Sequence, residues 1–385
     1  MSRVLAILGS TGSIGRSTLD VVDRLGGAFR VAALAAGANL ELLAVQIEKY
    51  RPGLVSVSGR RDADRIRGLA RRFGAKVVHG PEGAAEVARA DGADTVVSAI
   101  TGMNGFLPTL EAVRAGRRVA LANKESLVVG GALLRREAAR SGARIVPVDS
   151  EHSGVFQCLC GRKRRHVRKV ILTASGGPFF RTPLEDLARK TVAETLRHPR
   201  WSMGPKVTVD SATLMNKGLE LIEARWLFDL EPHELEVLVH PQSAVHAIVE
   251  MEDGSQLAQL GAADMRVPIQ YALTWPSRRA TGLPRLDLAA LRRLEFHRVD
   301  ERRYPMFSLA RRALVAGESL AVALNAANEV AVAAFLAERI LFTDLHAVVA
   351  VVVESHRPRP ADSIEAIRDI DREARREARR ALPQR

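Results

Sequence analysis

The stretch Val4-Leu-Ala-Ile-Leu-Gly-Ser-Thr-Gly-Ser-Ile-Gly15 decides the fold. Val4 to Leu8 are uniformly apolar and read as a short buried strand. Gly9, Gly12 and Gly15 follow at GxxGxxG spacing and lead into a helical pattern. Glycines at a strand-to-helix turn permit a tight bend and let backbone N–H groups approach a pyrophosphate at the helix N-terminus. The spacing is not GxGxxG, so a glycine-rich turn without a ligand stands as the other reading.

Outward from this turn, residues 31–35, 54–57, 95–99, 118–122 and 144–148 repeat the short apolar strand pattern, with Ala-, Arg- and Leu-rich helical stretches between them. That alternation predicts an α/β fold whose N-terminal part is a Rossmann-like, doubly wound parallel sheet. From about Ser150 the pattern changes. Strands are expected at 170–173, 237–240, 244–250 and 255–260, the last two joined as an antiparallel hairpin at Asp253-Gly254. Residues 275–286 hold two prolines, a glycine and three arginines and read as linker. From about Met306 the periodicity is helical, with 325–336 Ala- and Val-rich and therefore buried. In the last helix Ile364, Ile367 and Ile370 form one stripe. Asp371/Arg375, Glu373/Arg376 and Glu377/Arg380 are expected to lace a solvated opposite face.

Composition bounds the class. The chain has 385 residues, 47% of them apolar and 26% charged, which is ordinary for a globular protein with sizeable cores. No uninterrupted apolar run reaches the length of a membrane span, and residues 4–8 run straight into the glycine turn rather than into a signal peptide. Two cysteines, Cys158 and Cys160, fit a reducing compartment, so a cytoplasmic location is expected. The net charge is +13, yet only eight of the 57 basic residues are lysine. A general preference for arginine accounts for the charge. The densest run, Arg162 to His166, has no interleaved aromatics, so no nucleic-acid partner is expected.

Several segments carry chemistry. In Asp210-Ser-Ala-Thr-Leu-Met-Asn-Lys-Gly-Leu-Glu220, a helix from about Leu214 puts Asn216, Lys217 and Glu220 within an arc of roughly 100°. Such a face offers phosphate donors and a carboxylate for a hard metal, although an exposed i,i+3 pair also fits. Asp149-Ser-Glu151 ends the last strand of the first region, and alternation along an extended chain puts both carboxylates on one side. With Glu220 they would suit Mg²⁺ or Mn²⁺; two solvated acids are the alternative. Lys124 sits at a strand end, where α/β sheets bind ligands; a salt bridge to Glu125 is the alternative. Ser175-Gly-Gly-Pro178 has the free amides and hydroxyl to hold a phosphate. His198-Pro-Arg-Trp-Ser-Met-Gly204 reads either as a lid or as a loop anchored by Trp201. At the tip of the second strand, Ala36-Gly-Ala-Asn39 has no acid to repel a 2′-phosphate, which leans toward NADP.

Together, residues 9–15, Ala122-Asn-Lys-Glu-Ser126, Asp149-Ser-Glu-His152, Thr173-Ala-Ser-Gly-Gly-Pro-Phe179, Arg197-His-Pro-Arg-Trp-Ser-Met-Gly204, 210–220, His240-Pro-Gln-Ser243 and Leu324-Asn-Ala-Ala-Asn-Glu329 resemble the 1-deoxy-D-xylulose 5-phosphate reductoisomerase family, in order and over essentially the whole chain. The resemblance implies a homodimer with an NADPH-binding Rossmann-like domain at 1–149 and a central α/β (α+β) catalytic and dimerisation domain at 150–274. A linker at 275–305 and a C-terminal helical domain at 306–385 would follow. It implies rearrangement and NADPH reduction of 1-deoxy-D-xylulose 5-phosphate to 2-C-methyl-D-erythritol 4-phosphate in non-mevalonate isoprenoid synthesis, with Mg²⁺ or Mn²⁺. By position, Asp149, Glu151 and Glu220 resemble the metal ligands. Lys124 and Ser150 would hold the hydroxyl end of the substrate. Ser175, Ser211, Asn216 and Lys217 would hold its phosphate with His198 nearby, and Trp201 and Met203 would form a flap. Thr11, Gly12, Ser13, Ile14, Gly37, Asn39, Asn123, Glu125 and Gly204 would contact the nucleotide.

There are two departures. Ala38 stands where many members carry a basic residue facing the 2′-phosphate, so a softened coenzyme preference is expected. Ala263-Asp-Met-Arg266 replaces a Pro-Asp-Met-Arg pattern, which bears on how the flap tryptophan packs. Two rival classes fit less well. A semialdehyde-type dehydrogenase wants a catalytic Cys, and Cys158 and Cys160 are in no such context; a dinucleotide-sensing regulator leaves the acidic trio without a purpose.

Overall fold

Seven short strands build the N-terminal sheet of the computed structural model, which describes residues 3–201, 203–280 and 282–383. They are β1 (Arg3–Leu8), β2 (Phe29–Ala35), β3 (Leu54–Val57), β4 (Lys76–His79), β5 (Thr95–Ser98), β6 (Arg118–Leu121) and β7 (Arg144–Pro147). The order is β4-β3-β2-β1-β5-β6-β7, with every neighbouring pair parallel. The chain winds outward from β1 to one side, then returns to β5 on the other. The carboxyl ends of β1 and β5 therefore flank a topological switch point, where such sheets bind ligands. Leu5, Ala6, Ile7 and Leu8 are fully buried, as a central strand covered on both faces requires.

β4 is the strand that the sequence reading lacks. It is an edge strand of only four residues, half-exposed, with two valines between Lys76 and His79, so its apolar signal is weak. The strands expected at 95–99, 118–122 and 144–148 each end one residue earlier.

The chain divides into two units, the first being Met1–Ser126, Leu134–Ser153 and Asp264–Leu283. Asp264–Leu283 thus rejoins the N-terminal unit, which differs from the boundaries expected at 149 and 274. Arg266, braced by Asp264 at 2.7 Å, ties it there by pairing with Asp20 at 2.8 Å. Arg118 donates to the Trp275 carbonyl at 2.8 Å.

The second unit comprises Leu127–Leu133, Gly154–Ala263 and Pro284–Arg385. Its sheet has the order β11-β10-β8-β9-β12, with β8 (Val167–Ala174), β9 (Leu235–Val239), β10 (Val245–Met251), β11 (Gln256–Leu260) and β12 (His297–Arg298). β8 and β9 pair in parallel; the other pairs are antiparallel. The Asp253-Gly254 hairpin is present, and Gly254 takes the left-handed conformation that its turn needs. The stretch expected as linker contributes β12, which pairs with β9, and a short helix, Leu288–Leu291.

Four helices follow: Pro305–Ala316, Glu318–Leu336, Asp344–Ser355 and Ile364–Arg380. Glu318–Leu336 is the one helix among the described residues long and apolar enough to cross a membrane, with mean hydropathy 1.6. It is also 78% buried within the protein, as a core helix should be. Ile364–Arg380 buries Ile367, Ile370, Ala374 and Ala378, with its arginines on other positions. Of the pairs expected there, Asp371–Arg375 is present at 2.8 Å, but Asp371 is buried and Arg375 also reaches Glu329 of the core helix, while Glu373 pairs with Arg359.

Candidate active site

The glycine turn explains its own composition. Gly9 sits at φ +88, and a Cβ on Gly15 would meet the Gly9 carbonyl oxygen at 2.2 Å, so β1 and the helix Ser13–Arg24 approach too closely for any side chain there. That helix begins at Gly12 with no side-chain cap and no acid in its first turn. Its first N–H groups therefore suit an anion. Thr11 and Ile14 are half-buried, while Gly12 and Ser13 are exposed. At the tip of β2, Gly37, Ala38 and Asn39 are exposed. The Asn39 side chain accepts from the Leu42 N–H at 3.0 Å and caps the helix Leu40–Tyr50.

After β6, Asn123 is buried and caps the helix Lys124–Ser141 through an Oδ1 bond from the Ser126 N–H at 3.0 Å. Its amide donates to Glu125 at 3.0 Å and to the Gly102 carbonyl at 3.1 Å. Lys124 is buried and pairs with Asp149 at 2.5 Å. Asp149 and Glu151 do not lie on an extended chain. The helix Ser150–Leu159 starts at once after β7, and the Asp149 carbonyl accepts from the Ser153 N–H at 2.8 Å. The two carboxylates still come within 4.8 Å of each other, now through the bend into the first helical turn. Ser150 donates to Glu151, and His152 is buried with Nδ1 4.0 Å from Asp149.

The second unit holds the other cluster. Gly176 and Gly177 follow β8 with φ of +83 and +69. A Cβ on Gly177 would lie 2.7 Å from the Ser211 carbonyl oxygen, so this turn packs directly on the helix Pro205–Ala212. Ser175 Oγ is 2.9 Å from His198 Nε2 and accepts from the Gly177 N–H at 3.1 Å. His198 Nδ1 accepts from the Trp201 N–H at 2.9 Å. That bond leaves the ring proton on Nε2, donated to Ser175. Burial lowers the His198 pKa to about 4, so the ring is neutral at pH 7. With two bonds arriving at its oxygen, Ser175 keeps its own O–H to donate. Asn216, Lys217 and Glu220 lie on the first turns of the helix Met215–Phe228, which starts without a side-chain cap. Glu220 is fully buried and accepts from Asn216 at 2.5 Å and from Lys217. An amide and an ammonium thus stand beside one buried carboxylate.

The chain matches family models over nearly its whole length: 1-deoxy-D-xylulose 5-phosphate reductoisomerase at residues 5–131, its C-terminal domain at 145–228, and the DXP reductoisomerase C-terminal domain at 260–377. It is 50% identical over 378 residues to a 1-deoxy-D-xylulose 5-phosphate reductoisomerase of Chlorobaculum tepidum, covering 98% of this chain and 99% of that one. The chain belongs to the 1-deoxy-D-xylulose 5-phosphate reductoisomerase family. A reductoisomerase of Heliobacterium modesticaldum is 52% identical, with 98% and 96% of the two chains covered. The solved Zymomonas mobilis reductoisomerase in complex with NADPH superposes with a TM-score of 0.93 at 40% identity, covering 100% of each chain. A DOX-P reductoisomerase in complex with NADPH, fosmidomycin and magnesium superposes with a TM-score of 0.94 at 39% identity, covering 99% of this chain and 98% of that one.

Within this reductoisomerase chain, some residues that the sequence reading did not single out support the cluster. Asp210 is buried, pairs with Lys206 at 2.9 Å and accepts from Asn328 at 2.8 Å, which sets the helix that carries Ser211. His246 is buried, and its pKa falls to about 4, mainly through burial and then through the charge of Lys217. A lone histidine inside the strand pattern of β10 gives no sign of that neighbour. The loop expected as a flap, 198–204, includes Ser202, which lies outside the described residues. Trp201 and Met203 are half-exposed and Gly204 is exposed. The Trp201 ring is 6.2 Å from that of His246, centroid to centroid. Half exposure is poor anchorage in a core. Trp201→Ala should therefore change the melting temperature by no more than about 2 °C. A lid that positions reacting atoms predicts a roughly 10- to 100-fold loss in kcat/KM. A melting temperature lowered by roughly 8 °C or more would make Trp201 a core anchor instead.

Proposed function

We infer that this chain converts 1-deoxy-D-xylulose 5-phosphate to 2-C-methyl-D-erythritol 4-phosphate, with NADPH and a divalent cation, as a step of non-mevalonate isoprenoid synthesis. The observation that carries the reading is the buried Glu220 with Asn216 and Lys217 on one helical face, in a chain of this family. Ser175, Ser211, Asn216 and Lys217 hold the substrate phosphate, and His198 fixes the Ser175 hydroxyl as a donor. Lys217 has three donors, so its ammonium can serve both Glu220 and a phosphate oxygen. Lys124 and Ser150 hold the hydroxyl end. Trp201 and Met203 close over the substrate and exclude water.

The donor set fits a hard cation. Asp149, Glu151 and Glu220 offer oxygen only, which suits Mg²⁺ or Mn²⁺. The uncapped, acid-free start of Ser13–Arg24 fits a pyrophosphate. Thr11, Gly12, Ser13, Ile14, Gly37, Asn39, Asn123, Glu125 and Gly204 are assigned to NADPH. When bound, the cation supplies Lewis-acid polarisation of the substrate oxygens and NADPH supplies the hydride. Nucleotide binding is assigned to 1–149, chemistry and dimerisation to 150–274, and the protein is taken as a cytoplasmic homodimer.

The test is direct. NADPH oxidation should require both 1-deoxy-D-xylulose 5-phosphate and Mg²⁺ or Mn²⁺. Chelation should abolish turnover, readdition should restore it, and NADPH binding should persist throughout. Undiminished turnover of metal-stripped protein in chelator would refute the metal assignment.

A further inference from the structure

We propose that Arg60 and Arg61 hold the 2′-phosphate of the coenzyme, supplying from the end of β3 the cations that the β2 tip lacks. This rests on the nucleotide site assigned above. Ala38 offers no charge at that tip, and the Asn39 side chain is occupied in capping its own helix. β3 lies directly beside β2 in parallel, with Ala35 opposite Ser56. The Ala36 N–H donates to the Ser56 carbonyl at 2.9 Å, and a Cβ on Gly37 would lie 3.9 Å from Ser58 Oγ. The segments leaving the two strands thus form one ledge. Two residues beyond Ser58 come Arg60 and Arg61, both exposed.

Three observations separate these two from a merely solvated arginine-rich helix. Among the described residues, neither takes part in a side-chain hydrogen bond or ion pair. Both stand in the first turn of the helix Arg60–Arg72, where the helix dipole disfavours cations. The acid in that turn, Asp62, is shared with Arg65 at 4.0 Å. Two arginines set against the dipole, on the segment that leaves β3 alongside the β2 tip, match a phosphate dianion, which accepts bidentate, charge-assisted hydrogen bonds. An uncharged ribose 2′-OH gains nothing comparable.

Calorimetric binding of NADPH, NADH, 2′,5′-ADP and 5′-AMP to wild type, Arg60→Ala, Arg61→Ala and the double variant tests the proposal. The double variant should bind NADPH and 2′,5′-ADP roughly 10- to 100-fold more weakly, the range for charge-assisted bonds. NADH and 5′-AMP should stay within about twofold, which also shows that the variant is folded. The salt dependence of NADPH binding should shrink. Ala38→Arg should add little in wild type and restore NADPH affinity in the double variant. Unchanged NADPH affinity in the double variant, or equal losses for NADPH and NADH, would overturn the assignment. Wild type that binds neither coenzyme nor either fragment would overturn the nucleotide site itself, and the assignment with it.

Discussion

Glu220→Gln is expected to lower turnover by about a hundredfold or more while NADPH affinity stays within about twofold of wild type. The substitution keeps the shape of the side chain and removes one negative charge from an oxygen-only donor set. Altering even the groups behind a metal ligand costs about 10- to 100-fold, and a ligand itself should cost no less. Glu220 is fully buried and accepts from Asn216 and Lys217, so its amide replacement also leaves the Lys217 ammonium without its counter-charge. Breaking a buried pair is destabilising by about 3–5 kcal/mol in general, so the melting temperature must be measured beside the rate. Steady-state turnover across a Mg²⁺ titration separates the two effects. Loss of a ligand raises the cation concentration needed for half-maximal rate, whereas a purely structural loss leaves it unchanged. Near-normal turnover at saturating metal would remove Glu220 from the ligand set.

Lys217→Ala should lower kcat/KM for 1-deoxy-D-xylulose 5-phosphate by roughly 10- to 100-fold, the scale of a hydrogen bond to a charged group. The same substitution should matter far less for 1-deoxy-D-xylulose, which lacks the phosphate and should be a very poor substrate for wild type. The comparison is needed because Lys217 also neutralises Glu220. A loss that acts only through Glu220 would appear equally with both sugars. A loss that acts through the phosphate appears only with the phosphorylated one, because remote binding energy is what positions the reacting carbons. Equal fractional losses would end the phosphate assignment for Lys217.

Much of the architecture is legible in the amino-acid order. Leu5 to Leu8 form a continuous apolar run, and they are a buried strand. Strands covered on both faces leave that signature and edge strands do not, so β4 carries little apolar signal. The motif at Asp149 shows the opposite failure. Its two carboxylates lie within 4.8 Å of each other, but not through alternation along a strand, because the helix starts at Ser150. A strand-to-helix junction of one or two residues has no periodicity of its own from which to locate it.

By itself, then, the amino-acid order determined the local elements, the glycine turn after β1, the helical face of Asn216, Lys217 and Glu220, and the family. These depend on residues within a few positions of one another, where backbone sterics and periodicity act. Only the tertiary structure decided which groups meet. It put Ser175 against His198, Gly177 on Ser211, Lys124 on Asp149, Asp210 on Asn328, and the segment after β3 beside the tip of β2. Such residue pairs lie from 23 to 118 residues apart in the chain. Their pairing follows from how whole strands and helices pack, and a buried charge accepts whichever opposite group that packing delivers.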